Sequence, residues 1–312
     1  MILIFPMEIL VATEKPFAAV AVDGIKKVAE EAGHTVKLLE KYPSKEDLLK
    51  AVATADALIV RSDKVDAEVL AAAPALKIVV RAGAGYDNVD LAAATERGVV
   101  VENTPGQNSN AVAELVFGMA LMAARNMYDG TSGSELKDKS IGIHAFGQVG
   151  RNVARIARGF GMDVSAFDYK GRTEMIEEAG VKPISDVRSL YSDNKIVSLH
   201  IPATPATRGS VGYDLVTLMP KGGILVNTAR KEVIDEEGLA KAMRERPDIK
   251  YVADVKPDSA AAMEEEFKGR VFFTPKKMGA QTSEANINAG IAAARQIVSY
   301  FTDGDTRFQV NK

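Results

Sequence analysis

The chain has 312 residues, a formal net charge of −3 and no cysteine. That length accommodates two hydrophobic cores. The mild acidity gives no electrostatic reason to expect a nucleic acid or an anionic membrane as partner, and the missing thiols exclude disulfides, thiolate metal sites and cysteine nucleophiles while fitting a reducing cytoplasm.

The start is apolar, but it lacks a basic stretch and is interrupted by Glu8, so it reads as a short leader followed by a first strand, not as a signal peptide. Short β-rich runs then recur at Glu8–Ala12, Thr35–Leu39, Ala57–Val60, Lys77–Arg81 and Val99–Glu102. Helical periods lie between them at Phe17–Ala32, Lys45–Ala53 and Leu91–Arg97, with Gly33 and Gly98 where helix C-caps belong. This βαβ rhythm implies a parallel sheet covered on both faces.

A long helix is expected over Ser109–Asn126. Its stretch Ala111–Ala124 is apolar nearly all round but too short for a membrane span and carries Glu114, which suits a helix buried between layers or at a subunit contact. The polar segment Tyr128–Lys139 reads as a crossing between lobes. A second series follows, with strands at Ile141–His144, Asp163–Phe167, Ile196–Leu199, Gly223–Val226, Tyr251–Ala253 and Val271–Phe273, and a final helix at Ser283–Phe301. The expected fold is α/β: two doubly wound parallel-sheet lobes, one Rossmann-type and one flavodoxin-like, with a ligand cleft between them.

The segment from Ile141 to Asp168 carries the sharpest chemical signal. An apolar strand runs into Ala145-Phe146-Gly147-Gln148-Val149-Gly150, then a helical run at Arg151–Phe160, a second strand and an acid. This order fits a dinucleotide: N–H groups of Gly147, Gln148 and Val149 at the helix start hold a pyrophosphate, and Asp168 accepts from the adenosine ribose. Ala145 replaces the first of three glycines, which is tolerable if its φ stays negative. Asp168 favours NAD, because a carboxylate repels a 2′-phosphate; Lys170 and Arg172 nearby act against that preference.

At this point the sequence resembles the D-isomer-specific 2-hydroxyacid dehydrogenases, most nearly their short phosphoglycerate-type members. The likeness rests on Val79–Asp90, on Asn103-Thr104-Pro105-Gly106 with Val112-Ala113-Glu114-Leu115, on the turn at 142–150, on Val226-Asn227-Thr228-Ala229-Arg230 and on Gly279–Ala285, in that order. It implies an oxidoreductase that moves a hydride between C2 of a small 2-hydroxy acid and NAD. It also implies a substrate domain of residues 1–104 and 284–312, an NAD-binding domain of residues 105–283, and a homodimer formed through the latter.

The resemblance distributes roles. Arg230 grips the substrate carboxylate and C2 oxygen with a permanent planar cation. Backbone N–H groups of Ala82, Gly83, Ala84 and Gly85 hold the carboxylate from the other lobe. His200, Ile201, Pro202, Thr228, Ala229, Gly279 and Ala280 line the cofactor, and Asp254 accepts from the nicotinamide amide. The family's proton-transferring histidine has no counterpart: Lys277 stands there, in Pro275-Lys276-Lys277-Met278-Gly279-Ala280. Lys277 is therefore expected to be the acid/base. A free amine titrates at ~10.4, so base duty near neutrality demands a lowered pKa, which desolvation and the Arg230 charge both favour.

The glutamate that orients the family's histidine is also replaced, by Ser259 with Asp258 before it; Asp258 is weighed as a partner for Lys277. Of the three histidines, His34 is expected in solvent and His144 in a structural role, and none has metal-ligand spacing. Arg61 and Ser62, with Lys64 and Arg81, place cations at strand ends that a substrate phosphate would want, unless they are ordinary surface charge. The leading expectation is oxidation of D-3-phosphoglycerate on the route to serine. The alternatives are a glyoxylate, hydroxypyruvate or lactate type of the same family, or a non-catalytic NAD-binding regulator on the same fold.

Overall fold

The computed structural model describes residues 6–169 and 171–312. Residues 1–5, which hold most of the expected leader, and Lys170 lie outside them. The chain forms two compact units: one runs to Asn108 and resumes at Thr282, and the other spans Ser109–Gln281.

In the first unit, β1 (Glu8–Thr13), α1 (Ala19–Glu31), β2 (Thr35–Glu40), α2 (Lys45–Val52), β3 (Ala57–Val60), α3 (Ala67–Ala71), β4 (Ile78–Arg81), α4 (Leu91–Glu96) and β5 (Val100–Asn103) alternate along the chain. The strands form one parallel sheet in the order β2-β1-β3-β4-β5. The central strands are apolar end to end because both faces are covered. On one face Ile9, Val11, Ile59 and Val80 pack with Ile25 of α1 and Ala293 and Ile297 of the C-terminal helix Ser283–Asp303. On the other, Leu10, Leu58, Val79 and Val101 pack with Leu48, Val69 and Ala94 of α2, α3 and α4. Each fully buried Ile, Leu or Val here contributes about 1.5–3 kcal/mol.

The edge of β5 is closed by the chain's last residues. Val310 N–H donates to Val101 O, while Asn311 accepts from Val101 N–H and donates to Val99 O. Such cover removes an open strand edge.

The second unit begins with α5 (Ser109–Ala124) and continues through β6 (Ser140–His144), α6 (Gln148–Gly159), β7 (Asp163–Phe167), α7 (Thr173–Glu178), β8 (Lys182–Pro183), α8 (Val187–Ser192), β9 (Ile196–Leu199), α9 (Tyr213–Val216), β10 (Ile224–Asn227), α10 (Glu236–Glu245), β11 (Lys250–Ala253), α11 (Ala260–Glu266) and β12 (Val271–Phe273). The parallel sheet has the order β12-β11-β10-β9-β6-β7-β8. Strand order reverses between β6 and β9, and ligands bind doubly wound sheets beyond the C-terminal strand ends at such a switch.

α5 packs its buried face on α6 and the sheet, with Phe117 stacked on Phe160 at 5.1 Å. Among the described residues no helix is long and apolar enough to cross a membrane. Two expectations need correction here. The helix stops at Ala124, because Asn126, Met127 and Tyr128 turn left-handed with φ of 51°, 54° and 58°; Lys250 caps this end through Ala123 O and Asn126 Oδ1. The segment 128–139 lies inside the second unit and is not a crossing, since the chain changes units at 108/109 and 281/282.

Candidate active site

The turn between β6 and α6 is built around peptide groups. Phe146 N–H donates to Asp168 Oδ2 at 2.7 Å, so the acid at the end of β7 fixes the turn. Gly147 caps α6 without a side-chain acceptor, which leaves the first N–H groups of the helix, including those of Gln148 and Val149, aimed outward. A Cβ on Gly150 would come 2.5 Å from Ala145 O, so only glycine lets the helix approach the strand. Ala145 itself has φ of +83°, contrary to the negative value expected. The turn requires the left-handed region, and the alanine methyl makes that conformation costly, by about 1 kcal/mol. Arg172 lies 3.7 Å from Asp168 and donates to Phe146 O, so it belongs to the turn.

The neighbouring strand ends hold a buried and a half-buried imidazole. His144 Nδ1 pairs with Tyr191 Oη at 3.1 Å, and burial pushes its pKa down to about 4. His200 N–H donates to His144 O, its Nε2 pairs with Ser198 Oγ at 2.9 Å, and desolvation, with His144 adding, pushes it down to about 3. Both are neutral near physiological pH. His34 is not in solvent as expected: it is 2% exposed, accepts from Met7 N–H and packs edge-on against Phe301, because the start of β2 lies beneath the C-terminal helix.

After β10 the chain makes a compact turn on buried Asn227. Its Oδ1 accepts from Ala229 N–H at 2.9 Å and its Nδ2 donates to Arg230 O at 3.0 Å, which sets where Arg230 leaves the turn. The Arg230 side chain is exposed and donates to Ala229 O. Among the described residues Thr228 Oγ1 is buried without a hydrogen-bond partner, and Ala229 is buried beside it. Sequence reasoning assigned no role to Asn227, although an Asn opening a tight turn after a strand is a recognisable signal.

The loop after β12 carries Lys277. Its side chain is exposed and makes no ion pair among the described residues. Its pKa is lowered, first by desolvation and then by the Arg230 guanidinium, with Asp254 and Glu232 acting the other way. Asp254 accepts from Met278 and Gly279 N–H, both at 2.7 Å, and from Thr274 Oγ1 at 3.1 Å. Gly279 is buried and Ala280 half-buried. Asp258 does not pair with Lys277: it is exposed and bound to Lys231 at 2.5 Å, while Ser259 is held by Glu236 through its N–H and hydroxyl. α10 and its preceding turn supply both partners, so this segment is tied to α10.

In the first unit, Arg61 donates to Lys15 O, Pro16 O and Asn286 Oδ1, and its guanidinium lies over the Phe17 ring. Arg81 donates to Arg61 O, and its Nη1 occupies the space a Cβ on Gly83 would need. Ser62 is exposed, and Lys64 is exposed and 3.9 Å from Asp66. Of the four expected backbone donors, Ala82 N–H is used by Val60 O and Gly83 N–H by Arg81 O. Among the described residues only those of Ala84 and Gly85 are unengaged, because β4 extends its ladder one residue further and Gly83 closes a tight turn. A groove lined by Ser140, Arg158, Asp163, Lys182 and Asn194 lies at the N-terminal ends of the second sheet, opposite that sheet's own C-terminal strand ends.

The orphaned Thr228 hydroxyl, the open start of α6 and the glycine-only contact at Gly150 fit a dinucleotide in the second unit. The family model described as D-isomer specific 2-hydroxyacid dehydrogenase, catalytic domain, matches residues 11–311. The chain is 36% identical over 291 residues to a D-3-phosphoglycerate dehydrogenase of Methanocaldococcus jannaschii, covering 87% of this chain and 54% of that one. It is 32% identical over 301 residues to a glyoxylate reductase of Thermococcus litoralis, covering 89% and 90%. It thus spans about half the length of that phosphoglycerate dehydrogenase and most of that glyoxylate reductase. The crystal structure of an NAD+-bound 3-phosphoglycerate dehydrogenase of Entamoeba histolytica matches with a TM-score of 0.83 at 49% identity, over 99% of both chains.

Proposed function

The chain belongs to the D-isomer-specific 2-hydroxyacid dehydrogenases, and from that premise we propose that it is an NAD-dependent enzyme that oxidises D-3-phosphoglycerate to the 3-phospho-2-oxo acid. The unit of residues 109–281 is the cofactor unit in this reading, and the other is the substrate unit. What supports it is the placement of Arg230 just after β10 and Lys277 just after β12, both beyond C-terminal strand ends of the dinucleotide-type sheet, where desolvation and then the Arg230 charge lower the lysine's pKa.

NAD, when bound, would supply the acceptor for the hydride that leaves C2. Gly147, Gln148 and Val149 would receive its pyrophosphate, Asp168 its ribose, and Thr228 and Asp254 its amide. The protein's own part is to hold the acid and move one proton. Arg230 presents a guanidinium to the carboxylate and C2 oxygen. The neutral Lys277 amine accepts the C2 hydroxyl proton as the carbonyl forms, and its ammonium returns that proton in the reverse direction. Arg61, Ser62, Arg81 and the N–H groups of Ala84 and Gly85 supply donors for the remaining anionic groups.

The test is NADH formation from D-3-phosphoglycerate by wild type, Lys276→Ala and Lys277→Ala. Lys277→Ala is expected to lose about 10²–10⁴-fold in kcat and Lys276→Ala to stay near wild type; normal turnover in Lys277→Ala removes the assignment. A second reading, reduction of glyoxylate or hydroxypyruvate, is favoured by the engagement of Arg61 with Lys15, Pro16 and Asn286, which leaves it fewer donors for a phosphate. A substrate panel separates the two. Homodimer formation and a cytoplasmic location remain part of the proposal.

A further inference from the structure

Asp254 is a buried acid in an unusual bonding environment. It is 1% exposed, and among the described residues no cation lies within ion-pairing distance. A buried carboxylate without a counter-ion persists only when hydrogen bonds replace its water. Here the donors are the two peptide N–H groups that directly follow Lys277, one on each carboxylate oxygen, and the Thr274 hydroxyl. Three of about four acceptor positions are thereby taken by one loop. Gly279 must be glycine for this, since a Cβ there would lie 2.9 Å from Asp254 Oδ2. Asp254 N–H in turn donates to Asn227 O, at the root of the turn that carries Arg230.

Resting on the reading of Lys277 as the proton-transferring group, we infer that Asp254 is its positioning residue: the carboxylate grips the peptide groups of Met278 and Gly279 and so fixes the backbone from which the lysine projects. Apart from these bonds the loop is held, among the described residues, by Thr274 N–H to Ala253 O, Thr274 Oγ1 to Asp254 O at 2.9 Å and Gln281 N–H to Met278 O. Without the carboxylate the lysine would sample a wider arc. The fourth acceptor position is still free for a nicotinamide amide, so the brace and a cofactor contact are compatible and separable.

Amide hydrogen exchange in the cofactor-free protein reads the brace without any turnover. In wild type the Met278 and Gly279 amides should be protected by about 10²-fold or more over those of Lys276 and Lys277. Equal exchange at all four overturns the inference and needs no variant. In Asp254→Asn an amide NH₂ faces one of the peptide donors, so that protection should fall, kcat should drop about 10²-fold through misplacement of the lysine, and the pH limb of the oxidation profile should move, while the NADH dissociation constant changes by far less than kcat. Thr274→Val removes one of the three donors and keeps both peptide bonds, so its losses of protection and kcat should be smaller than those of Asp254→Asn. An Asp254→Asn protein that keeps loop protection and loses NADH affinity in step with kcat overturns the inference. Full turnover in Lys277→Ala removes the functional reading, and the exchange pattern then decides the brace independently.

Discussion

In the five-stranded unit the strand ends carry Arg61 and Arg81, whose guanidiniums are clamped by main-chain carbonyls and, among the described residues, lie beyond ion-pairing distance of any acid. In the seven-stranded unit the corresponding strand ends carry peptide N–H groups, an orphaned hydroxyl, two neutral imidazoles and a lysine of lowered pKa. The first sheet's strand ends thus present arginines tied to main-chain acceptors, and the second's combine a permanent guanidinium, Arg230, with a lysine and imidazoles of lowered pKa. The buried titratable groups also differ. In the first unit burial, with Asp305 adding, pushes Glu102 up to about 7; in the second it pushes His144 down to about 4.

Substitution of the two arginines tests the contrast most strongly. Arg230→Ala should lower kcat/KM by about 10³-fold, the loss expected when one partner of a desolvated charge pair is removed, and should do so for phosphorylated and unphosphorylated 2-hydroxy acids alike. Arg61→Ala should cost about 10–100-fold with D-3-phosphoglycerate and almost nothing with lactate; an equal loss on both substrates would erase the division of labour.

Stability against pH should separate the units next. His144 stays neutral in the fold, so the unfolded chain binds more protons between pH 6.5 and about 4. Stability therefore falls as pH falls through that window, by about 3 kcal/mol at its end, and His144→Phe should flatten the fall in thermal midpoint. Glu102 has the opposite sign. The fold keeps its proton above the unfolded value of 4.5, so its contribution is present below that value and is lost as pH rises through about 7. Glu102→Gln should raise the midpoint at pH 8 and leave it unchanged at pH 4. The smallest effect is at Ala145: glycine should stabilise the protein by about 1 kcal/mol by relieving the positive φ, read as a higher midpoint with no change in pH dependence.

Most of the fold was legible because apolar strands and periodic helices are local patterns. The central strands and the α6 turn follow from them. Short elements such as α3, α9 and β8 were not, since a few residues of mixed polarity carry no period. Ala145 shows a different failure: the motif gave the residue but not its φ of +83°, which only the folded turn shows. His34 reads as solvated from its place just before a strand, and Phe301, which packs against it, comes 267 residues later in the chain.

The order of residues alone determined two parallel α/β units, a dinucleotide-type turn, an arginine after β10 and a lysine after β12. These depend on near neighbours in the chain. Tertiary structure alone decided which groups are held and which are left open: Asp254 to the Lys277 loop, Asn227 to the Arg230 turn, Asp258 to Lys231, Arg61 to Asn286. Hydrogen bonds join atoms close in space, and no local pattern in a chain specifies which distant segments will be brought within 3 Å of one another.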